Sequence, residues 1–239
     1  ELYCCYHARV WPGRYGEEIG RVTFVKLGDC RSDFWPPRSL DLREFSTFVS
    51  LGRHFAEYEL LLNLYWAWRA GEFEPPEFVG VIHYDMEFEC GGRPITQLLD
   101  ELPRSPRSAA AFFPRPYEQV VRGDVKLPMP DGRECDWVHR TLLEHNRRRE
   151  VPLAERDLAG RTFPMCTAML APWAAVAEAV AGLDLTYRSG FYHTLDEGNR
   201  IAGGMMERQF AMGMAAQELD WHAFPLPHHF LTCYGADQR

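Results

Sequence analysis

The residues best suited to chemistry form one short segment, His83-Tyr84-Asp85-Met86-Glu87. Its two carboxylates, Asp85 and Glu87, are separated by one residue and can both reach a divalent cation if the chain bends between them. Hard cations such as Mg²⁺ prefer carboxylate oxygens and are often shared with a nucleotide diphosphate. The pattern indicates a candidate metal site, with a solvated acidic loop as the alternative, since Asp-x-Glu pairs also arise by chance.

Other motifs that would assign a reaction class are absent from the sequence. The nine histidines include His83 near Asp85 and the pair His228 and His229, but none has the spacing that places several zinc ligands on one helical face. There is no H-E-x-x-H, Walker loop, G-x-G-x-x-G or G-x-S-x-G sequence. The usual sequence arguments for metalloproteases, nucleotide triphosphatases, dinucleotide oxidoreductases and α/β-hydrolases therefore fail.

Composition narrows the class of protein further. The formal net charge of −8 argues against a partner with a phosphate backbone, so no nucleic acid is expected. The seven cysteines are odd in number, widely spread and without a C-x-x-C pair, which is typical of reduced thiols in a cytoplasmic protein. No apolar run predicts a transmembrane segment or a signal peptide. Because the first residue is Glu, we expect a part of a larger polypeptide.

The element that positions the acidic pair is the apolar run at residues 78–84. A continuous apolar stretch of this length is typical of a strand inside a parallel sheet that helices cover on both faces. His83, Asp85 and Glu87 then fall at its carboxyl end, where open α/β sheets bind their ligands. The sequence therefore predicts a site at that edge of the sheet.

Alternating strands and helices along the chain predict a single α/β domain over residues 1–239, with a mostly parallel central sheet flanked by helices. A Pro- and Gly-rich surface loop is expected at about residues 114–132, and an aromatic, Pro-rich tail at residues 221–239. Further strands are predicted at residues 2–6, 22–27, 109–113 and 162–170. Helices are predicted at residues 53–70, 95–102, 136–148 and 201–219, and from Pro172 to Gly182.

Five segments, read in order, resemble the DUF4422 family, whose members are glycosyltransferase-like proteins of capsular and exopolysaccharide loci. They are CCYHAR (4–9), VTFVKLGD (22–29), LYWAWRA (64–70), FVGVIHYDMEF (78–88) and RIAGGMMER (200–208). The last matches the family's late R-x-x-G-x-x-x-E-R helix through Arg200, Gly203, Glu207 and Arg208. The similarity covers most of the chain except the Pro-rich middle and the tail.

The resemblance implies a GT-A-like (Rossmann-like) domain that transfers a sugar from a nucleotide-sugar donor, expected to be a UDP-sugar. The acceptor is expected to be a glycan or a lipid-linked glycan of bacterial surface polysaccharide synthesis. The implied location is cytoplasmic, at the inner face of the membrane and peripheral to it. Cofactor-binding residues implied by the resemblance are Tyr6, His7, Arg9, His83, Tyr84 and Arg200.

Two departures from the family pattern bear on the mechanism. The family has two arginines after the His-Tyr pair, where this sequence has Asp85 and Met86, and the acidic residue before the aromatic helix end, Glu57 or Glu59, is out of register. We interpret Asp85 and Glu87 as the D-x-D-like ligands of Mn²⁺ or Mg²⁺, so that a metal replaces cationic side chains at the phosphate.

Inverting sugar transfer needs a group that takes the acceptor's proton. The candidates are His193, Asp196 and Glu197 in the loop before the last helix, with a role in solubility as the alternative. Glu207 is a further catalytic candidate, with a structural ion pair as the alternative. His7 is equally compatible with a structural histidine. Two other functions stay open: a metal-dependent hydrolase that uses His83, Asp85 and Glu87, and a non-catalytic glycosyltransferase-like binding domain of a larger protein.

Overall fold

A seven-stranded sheet forms the centre of the computed structural model, which describes residues 1–6, 10, 15–28, 30, 33–51, 56–123, 126–128, 134–147, 152–195 and 201–228. Short strands form three two-stranded pairs beside the sheet. In chain order the strands are β1 Leu2–Tyr6, β2 Thr23–Lys26, β3 Ser39–Leu40, β4 Phe78–His83, β5 Glu89–Cys90, β6 Arg93–Pro94, β7 Ser108–Ala111, β8 Pro114–Pro116, β9 Lys126–Pro128, β10 Glu134–Asp136, β11 Thr162–Pro164, β12 Met169–Pro172 and β13 Asp220–Ala223.

The central sheet has the strand order β13-β7-β12-β4-β1-β2-β3. Strand β12 runs antiparallel to its neighbours β4 and β7, and every other pairing in the sheet is parallel. The prediction of an α/β fold with a mostly parallel sheet is confirmed. Strand β4 lies between β1 and β12, and its residues from Val79 to His83 are buried, as its continuous apolar sequence predicts.

Within the described residues, seven α-helices connect and cover the strands. They are α1 Ala56–Arg69, α2 Ile95–Asp100, α3 Tyr117–Gly123, α4 Trp137–Asn146, α5 Glu155–Leu158, α6 Trp173–Arg188 and α7 Ile201–Ala215. Among the residues described, no helix has the length and apolar character needed to cross a membrane.

The two faces of the sheet belong to two separate cores. Along β1, Tyr3 and Cys5 pack into the core that contains the buried faces of α1, α6 and α7, whereas Leu2, Cys4 and Tyr6 pack into the core on the opposite face. This alternation follows from the two-residue period of a strand. The two adjacent cysteines are buried on opposite faces and are not joined in a disulfide, and burial raises the pKa of Cys4 well above its usual value.

The prediction of a loop at residues 114–132 is wrong where the structure describes this stretch, because it contains β8, α3 and β9. The prolines are compatible with β8 because, among the described strands, it pairs on one side only, with β11, and an edge strand tolerates a missing N–H donor. The sequence-based assignment also missed β13, which adds to the sheet parallel to β7. Both errors come from treating proline-rich or aromatic segments as loops without knowing their partners.

Helix α6 also differs from the prediction, since it continues past Gly182 to Arg188. Val180 and Leu183 are completely buried on its inner face, and the side-chain amide of Gln209 on α7 donates to the carbonyl oxygen of Gly182. Packing against α7 therefore outweighs the roughly 1 kcal/mol helix penalty of a glycine.

Two glycines give a stability prediction of opposite sign. A Cβ on Gly80 in β4 would lie 2.6 Å from Leu2 Cδ1 and 2.8 Å from Leu170 Cδ1, whereas a Cβ on Gly182 would meet no atom within 4 Å. We expect Gly80→Ala to lower the free energy of unfolding by about 1–3 kcal/mol through overpacking. Gly182→Ala should raise it by roughly 0.5–1 kcal/mol, because alanine favours a helix interior. Urea denaturation of both variants tests this, and equal effects would contradict it.

Candidate functional site

The candidate site lies where the parallel strands β1 and β4 end side by side. Cys5 pairs with His83 in the strand register, and the N–H of Tyr84 donates to the carbonyl oxygen of Cys5 at 3.1 Å. The carboxyl ends of parallel strands are the usual ligand-binding edge of such sheets. The structure therefore places Tyr6, His83, Tyr84 and Asp85 at the edge where the sequence predicted them.

A tight turn after β4 carries the acidic pair. The N–H of Met86 donates to the carbonyl oxygen of His83 at 3.0 Å, and the Tyr15 hydroxyl donates to the carbonyl oxygen of Tyr84 at 2.5 Å. Met86 is completely buried and anchors the turn, while Asp85 is buried and Glu87 is partly exposed. The bend needed for Asp85 and Glu87 to approach one ligand is present.

Residues 224–228, which we call the C-terminal segment, pack against this turn. The backbone of this segment continues along β7 through hydrogen bonds from Phe224 N to Ala111 O and from Leu226 N to Phe112 O. It then reaches the turn, where Glu87 N donates to Pro227 O at 2.9 Å and Met86 pairs with His228. This arrangement brings His228 to Asp85.

Asp85 is the most unusual group of the site. Its Oδ2 lies 3.0 Å from His228 Nε2, but its buried Oδ1 has no hydrogen-bond partner within the described ranges. Burial by itself raises the pKa of Asp85, but the hydrogen bond from His228 and the charges of His83 and His228 outweigh it, so the pKa lies below its usual value. An ionised, buried carboxylate with one open oxygen is suited to bind a cation.

The side chain of His83, which was predicted to bind cofactor, contacts the turn between β11 and β12. Its Nε2 makes a close contact with the carbonyl oxygen of Cys166 and lies 3.3 Å from Thr167 Oγ1. A carbonyl oxygen only accepts hydrogen bonds, so Nε2 carries a proton and is not a metal ligand in this geometry. This contact weakens the hydrolase alternative, which needed His83 together with Asp85 and Glu87.

The residues that His83 holds form a strained turn between β11 and β12. Cys166 and Thr167 have φ angles of 55° and 53°, in the left-handed region that residues with a Cβ seldom adopt. Such conformations cost on the order of 1–3 kcal/mol each and cluster at functional sites. From the other side, Glu207 Oε1 accepts the N–H of Cys166 at 2.7 Å. Glu207 is thereby connected to His83 through one turn.

The remaining predicted residues fall in different places. Tyr6 is buried in edge-to-face contact with Phe24 and Phe34, and burial raises its pKa. His193 packs on the ring of Tyr187 in the turn after α6 and does not belong to the contacts that join His83 to Glu207 in the described part of the chain. The predictions for His7, Arg9, Asp196, Glu197 and Arg200 lie outside the described residues.

The side chains around Asp85 offer few ligands for the expected metal. In the portion of the chain that the structure describes, no group of three or more His, Cys, Asp or Glu side chains could hold a metal ion. His228 Nε2 donates to Asp85 Oδ2 and is therefore not a metal ligand in this geometry. The carboxylates of Asp85, whose buried Oδ1 has no hydrogen-bond partner among the described residues, and of Glu87 in the same turn are the side chains that could take part. Mg²⁺-type ions commonly take only one or two carboxylates from the protein and the rest from phosphate and water. These residues fit such an ion.

Sequence reasoning missed His228 as a member of the site. In the sequence, His228 is recognisable only as half of the His228-His229 pair, and it lies far from Asp85 along the chain. The two side chains meet because the C-terminal segment pairs with the turn at Met86. The contact between Glu207 and the Cys166 turn was missed for the same reason.

A polar cavity of about 170 Å³ is connected to the Asp85–His228 pair through Phe113, which lines it. The Phe113 ring packs edge-to-face on His228 at 5.5 Å, and the guanidinium of Arg115 lies 4.2 Å from the centre of the same ring. We call it the arginine cavity; it is lined by Phe113, Arg115, Gln119, Val120, Met165, Glu207 and Arg208.

A larger cavity of about 330 Å³ lies between α1 and α6 and is lined by Thr47, Val49, Trp66, Tyr187 and Arg188. Its two nitrogen donors have structural partners, since Trp66 Nε1 and Arg188 Nε both donate to Asp184 at 2.7 Å, whereas the buried Thr47 Oγ1 has none among the described residues. The larger cavity is therefore a less suitable reaction site than the edge at Asp85.

Comparisons with protein-family models, with curated proteins and with solved structures gave no match. The geometry of the site at Asp85 and the residues that form it are therefore the basis for assigning a function.

Proposed function

We propose that this chain is a glycosyltransferase domain of GT-A type that binds the diphosphate of a nucleotide sugar at Asp85 and transfers the sugar to a glycan acceptor. The observation that carries the proposal is the buried, ionised carboxylate of Asp85, with Oδ1 open and His228 beside Oδ2. A buried carboxylate oxygen without a hydrogen-bond partner costs free energy. Such a group is found most often at a site where a bound ligand supplies the missing contact.

The sheet supports the GT-A assignment within this proposal. The resemblance implies a GT-A-like domain with a mostly parallel central sheet and a D-x-D-like metal site at the carboxyl end of a strand. Here β12 is the antiparallel neighbour of β4, and Asp85 and Glu87 follow β4 directly. Fold alone does not assign function, so the argument depends on this position of the acidic pair.

In the proposed donor complex, Asp85 would hold a divalent metal, Mn²⁺ or Mg²⁺, with Glu87 in the same turn as a second carboxylate, while His228 keeps its hydrogen bond to Asp85 Oδ2. The metal, when bound, neutralises charge on the departing diphosphate. The protein residues hold the turn in place. The Tyr15 hydroxyl donates to the Tyr84 carbonyl oxygen, and the C-terminal segment hydrogen-bonds to the backbone of Glu87. Preorganised charge of this kind is a main source of rate enhancement when a leaving group becomes anionic.

Glu207 acts in this proposal as a positioning residue. One of its carboxylate oxygens is committed to the N–H of Cys166, so it holds the strained turn that also binds His83. The group that takes the acceptor's proton is sought among His193, Asp196 and Glu197, which follow α6. This division of roles separates the donor side at Asp85 from the acceptor side.

The proposal is tested by thermal unfolding with UDP, GDP, CDP and UDP-sugars, each with Mn²⁺ or with EDTA. We expect one nucleotide to stabilise the protein only with Mn²⁺, by roughly 2.7 kcal/mol at 100 times its dissociation constant. Mn²⁺ alone is the control for metal binding to the native state without nucleotide. Stabilisation by Mn²⁺ with no further effect of any nucleotide would contradict the proposal and favour the hydrolase alternative, and no response at all would favour a non-catalytic binding domain.

A further inference from the structure

We propose that the arginine cavity binds an anionic group, a carboxylate or a phosphate, on the sugar of the acceptor. The proposal rests on the proposed function, because it assigns the acceptor side of the same site. It goes beyond that function in naming the chemical class of acceptor. The inference follows from the charge of the cavity, its lining and its position.

The charge of the cavity is positive along its lining. Arg115 and Arg208 supply two guanidinium groups, and Glu207 supplies one carboxylate. The Oε1 of that carboxylate accepts from Cys166 N at 2.7 Å and its Oε2 lies 3.6 Å from Arg208 Nη1, which also donates to the carbonyl oxygen of Gly204 at 3.1 Å. Two guanidinium groups and one carboxylate leave the lining with a net positive charge. Gln119 adds an amide. Guanidinium groups bind carboxylate and phosphate through paired, charge-assisted hydrogen bonds, so this lining selects an anion.

The lining also has an apolar side suited to a sugar ring. Phe113, Val120 and Met165 form it, and the Phe113 ring already carries the Arg115 guanidinium on its face at 4.2 Å. A cavity of about 170 Å³ holds roughly the volume of five or six water molecules, which is enough for an acidic group and part of one ring. An acidic sugar therefore fits better than a free oligonucleotide or a peptide helix.

The position of the cavity agrees with an acceptor subsite. The Phe113 ring that lines it also contacts His228, whose Nε2 is 3.0 Å from Asp85. On its other side the cavity reaches Glu207, which holds the Cys166 turn above His83. A sugar anchored by Arg115 and Arg208 would thus place its ring beside the proposed donor diphosphate.

The test measures binding of methyl β-glucuronide, glucose 6-phosphate and the neutral methyl β-glucoside by ligand-observed NMR, with and without UDP and Mn²⁺. We expect one or both anionic sugars to bind, and Arg115→Gln and Arg208→Gln each to weaken that binding about 10- to 100-fold, the range for losing a charged hydrogen bond. The matched control is Arg104→Gln, an exposed arginine in the connection before β7, which should have no effect. Arg115 is also exposed, so its variant should fold even if Arg208→Gln does not.

The outcomes separate this inference from the proposed function. Equal affinity for the neutral and anionic sugars, or binding that neither arginine substitution weakens, would overturn the inference even if UDP stabilises the protein. Anionic binding that depends on both arginines supports it. Carboxylate and phosphate are distinguished by which of the two anionic sugars binds more tightly. Failure of every nucleotide to bind would reject the proposed function, whereas the sugar titrations alone decide the anion subsite.

Discussion

In the Asp85→Asn variant, Mn²⁺ no longer adds to the stabilisation given by the nucleoside diphosphate that the wild-type protein binds. Asparagine keeps the shape of the side chain and an oxygen that accepts from His228, but it removes the charge that holds the cation. Release of nucleoside diphosphate from the matching nucleotide sugar should fall roughly 100- to 1000-fold, the range for removing one preorganised group that stabilises a developing anion. Binding is measured by thermal unfolding and turnover by a product assay.

The matched control for this variant is Asp100→Asn, which neutralises an exposed carboxylate at the end of α2. It should leave both the Mn²⁺ effect and turnover at the wild-type level. If Asp85→Asn retained full metal-dependent binding, the assignment of the donor site to this turn would be wrong.

The same pair of proteins has a pH signature. Because the pKa of Asp85 is lowered in the folded state, its ionised form stabilises the fold above the usual carboxyl pKa of about 3.9. That contribution is lost as the pH falls through the lower, folded-state value. The wild-type protein should therefore lose stability more steeply than Asp85→Asn below about pH 4. Urea midpoints measured across this range provide the comparison.

Substitution of Glu59 by alanine should lower the free energy of unfolding by about 2–4 kcal/mol, the largest stability effect we expect from a polar residue here. Glu59 is buried on α1, and its carboxylate accepts from the N–H groups of Gly28 at 3.0 Å and Leu51 at 2.9 Å. Its removal leaves both donors without this acceptor. Gly28 follows β2, so the loop at the binding edge should loosen as well.

Two further variants make the Glu59 experiment specific. Glu59→Gln keeps one carbonyl oxygen and should cost less than Glu59→Ala. Glu74→Ala removes an exposed carboxylate after α1 and should change stability by less than about 0.5 kcal/mol. Urea unfolding with an unchanged m-value gives the differences. Similar values for Glu59→Ala and Glu74→Ala would show that the two backbone contacts contribute little.

The central strand and its acidic turn could be predicted from the sequence because both depend on local pattern. Five buried positions in a row suit a strand that is covered on both faces, and polar residues that follow it must lie at its carboxyl end. The opposite faces of Cys4 and Cys5 follow from the same strand geometry. These features need no knowledge of distant residues.

The missed features depend on partners far away in the chain. Helix α6 passes through Gly182 because α7 packs on it, and β8 tolerates Pro114 and Pro116 because β11 pairs with one side only. The approach of His228 to Asp85 and of Glu207 to Cys166 is likewise set by tertiary contacts. Local propensity and residue spacing carry no information about these tertiary contacts, so this part of the candidate site could not be predicted from the sequence.

The C-terminal segment has a consequence for synthesis on the ribosome. Strands β1, β2 and β4 and the turn at Asp85 leave the ribosome early, but β13, Pro227 and His228 come late in the sequence and complete the same edge. Until they emerge, β7 lacks its parallel neighbour and the carboxylate of Asp85 lacks His228. Long-range pairings of this kind form last and slow folding. A nascent chain would thus carry an open sheet edge and no assembled site, so the domain becomes competent only near the end of translation of this region.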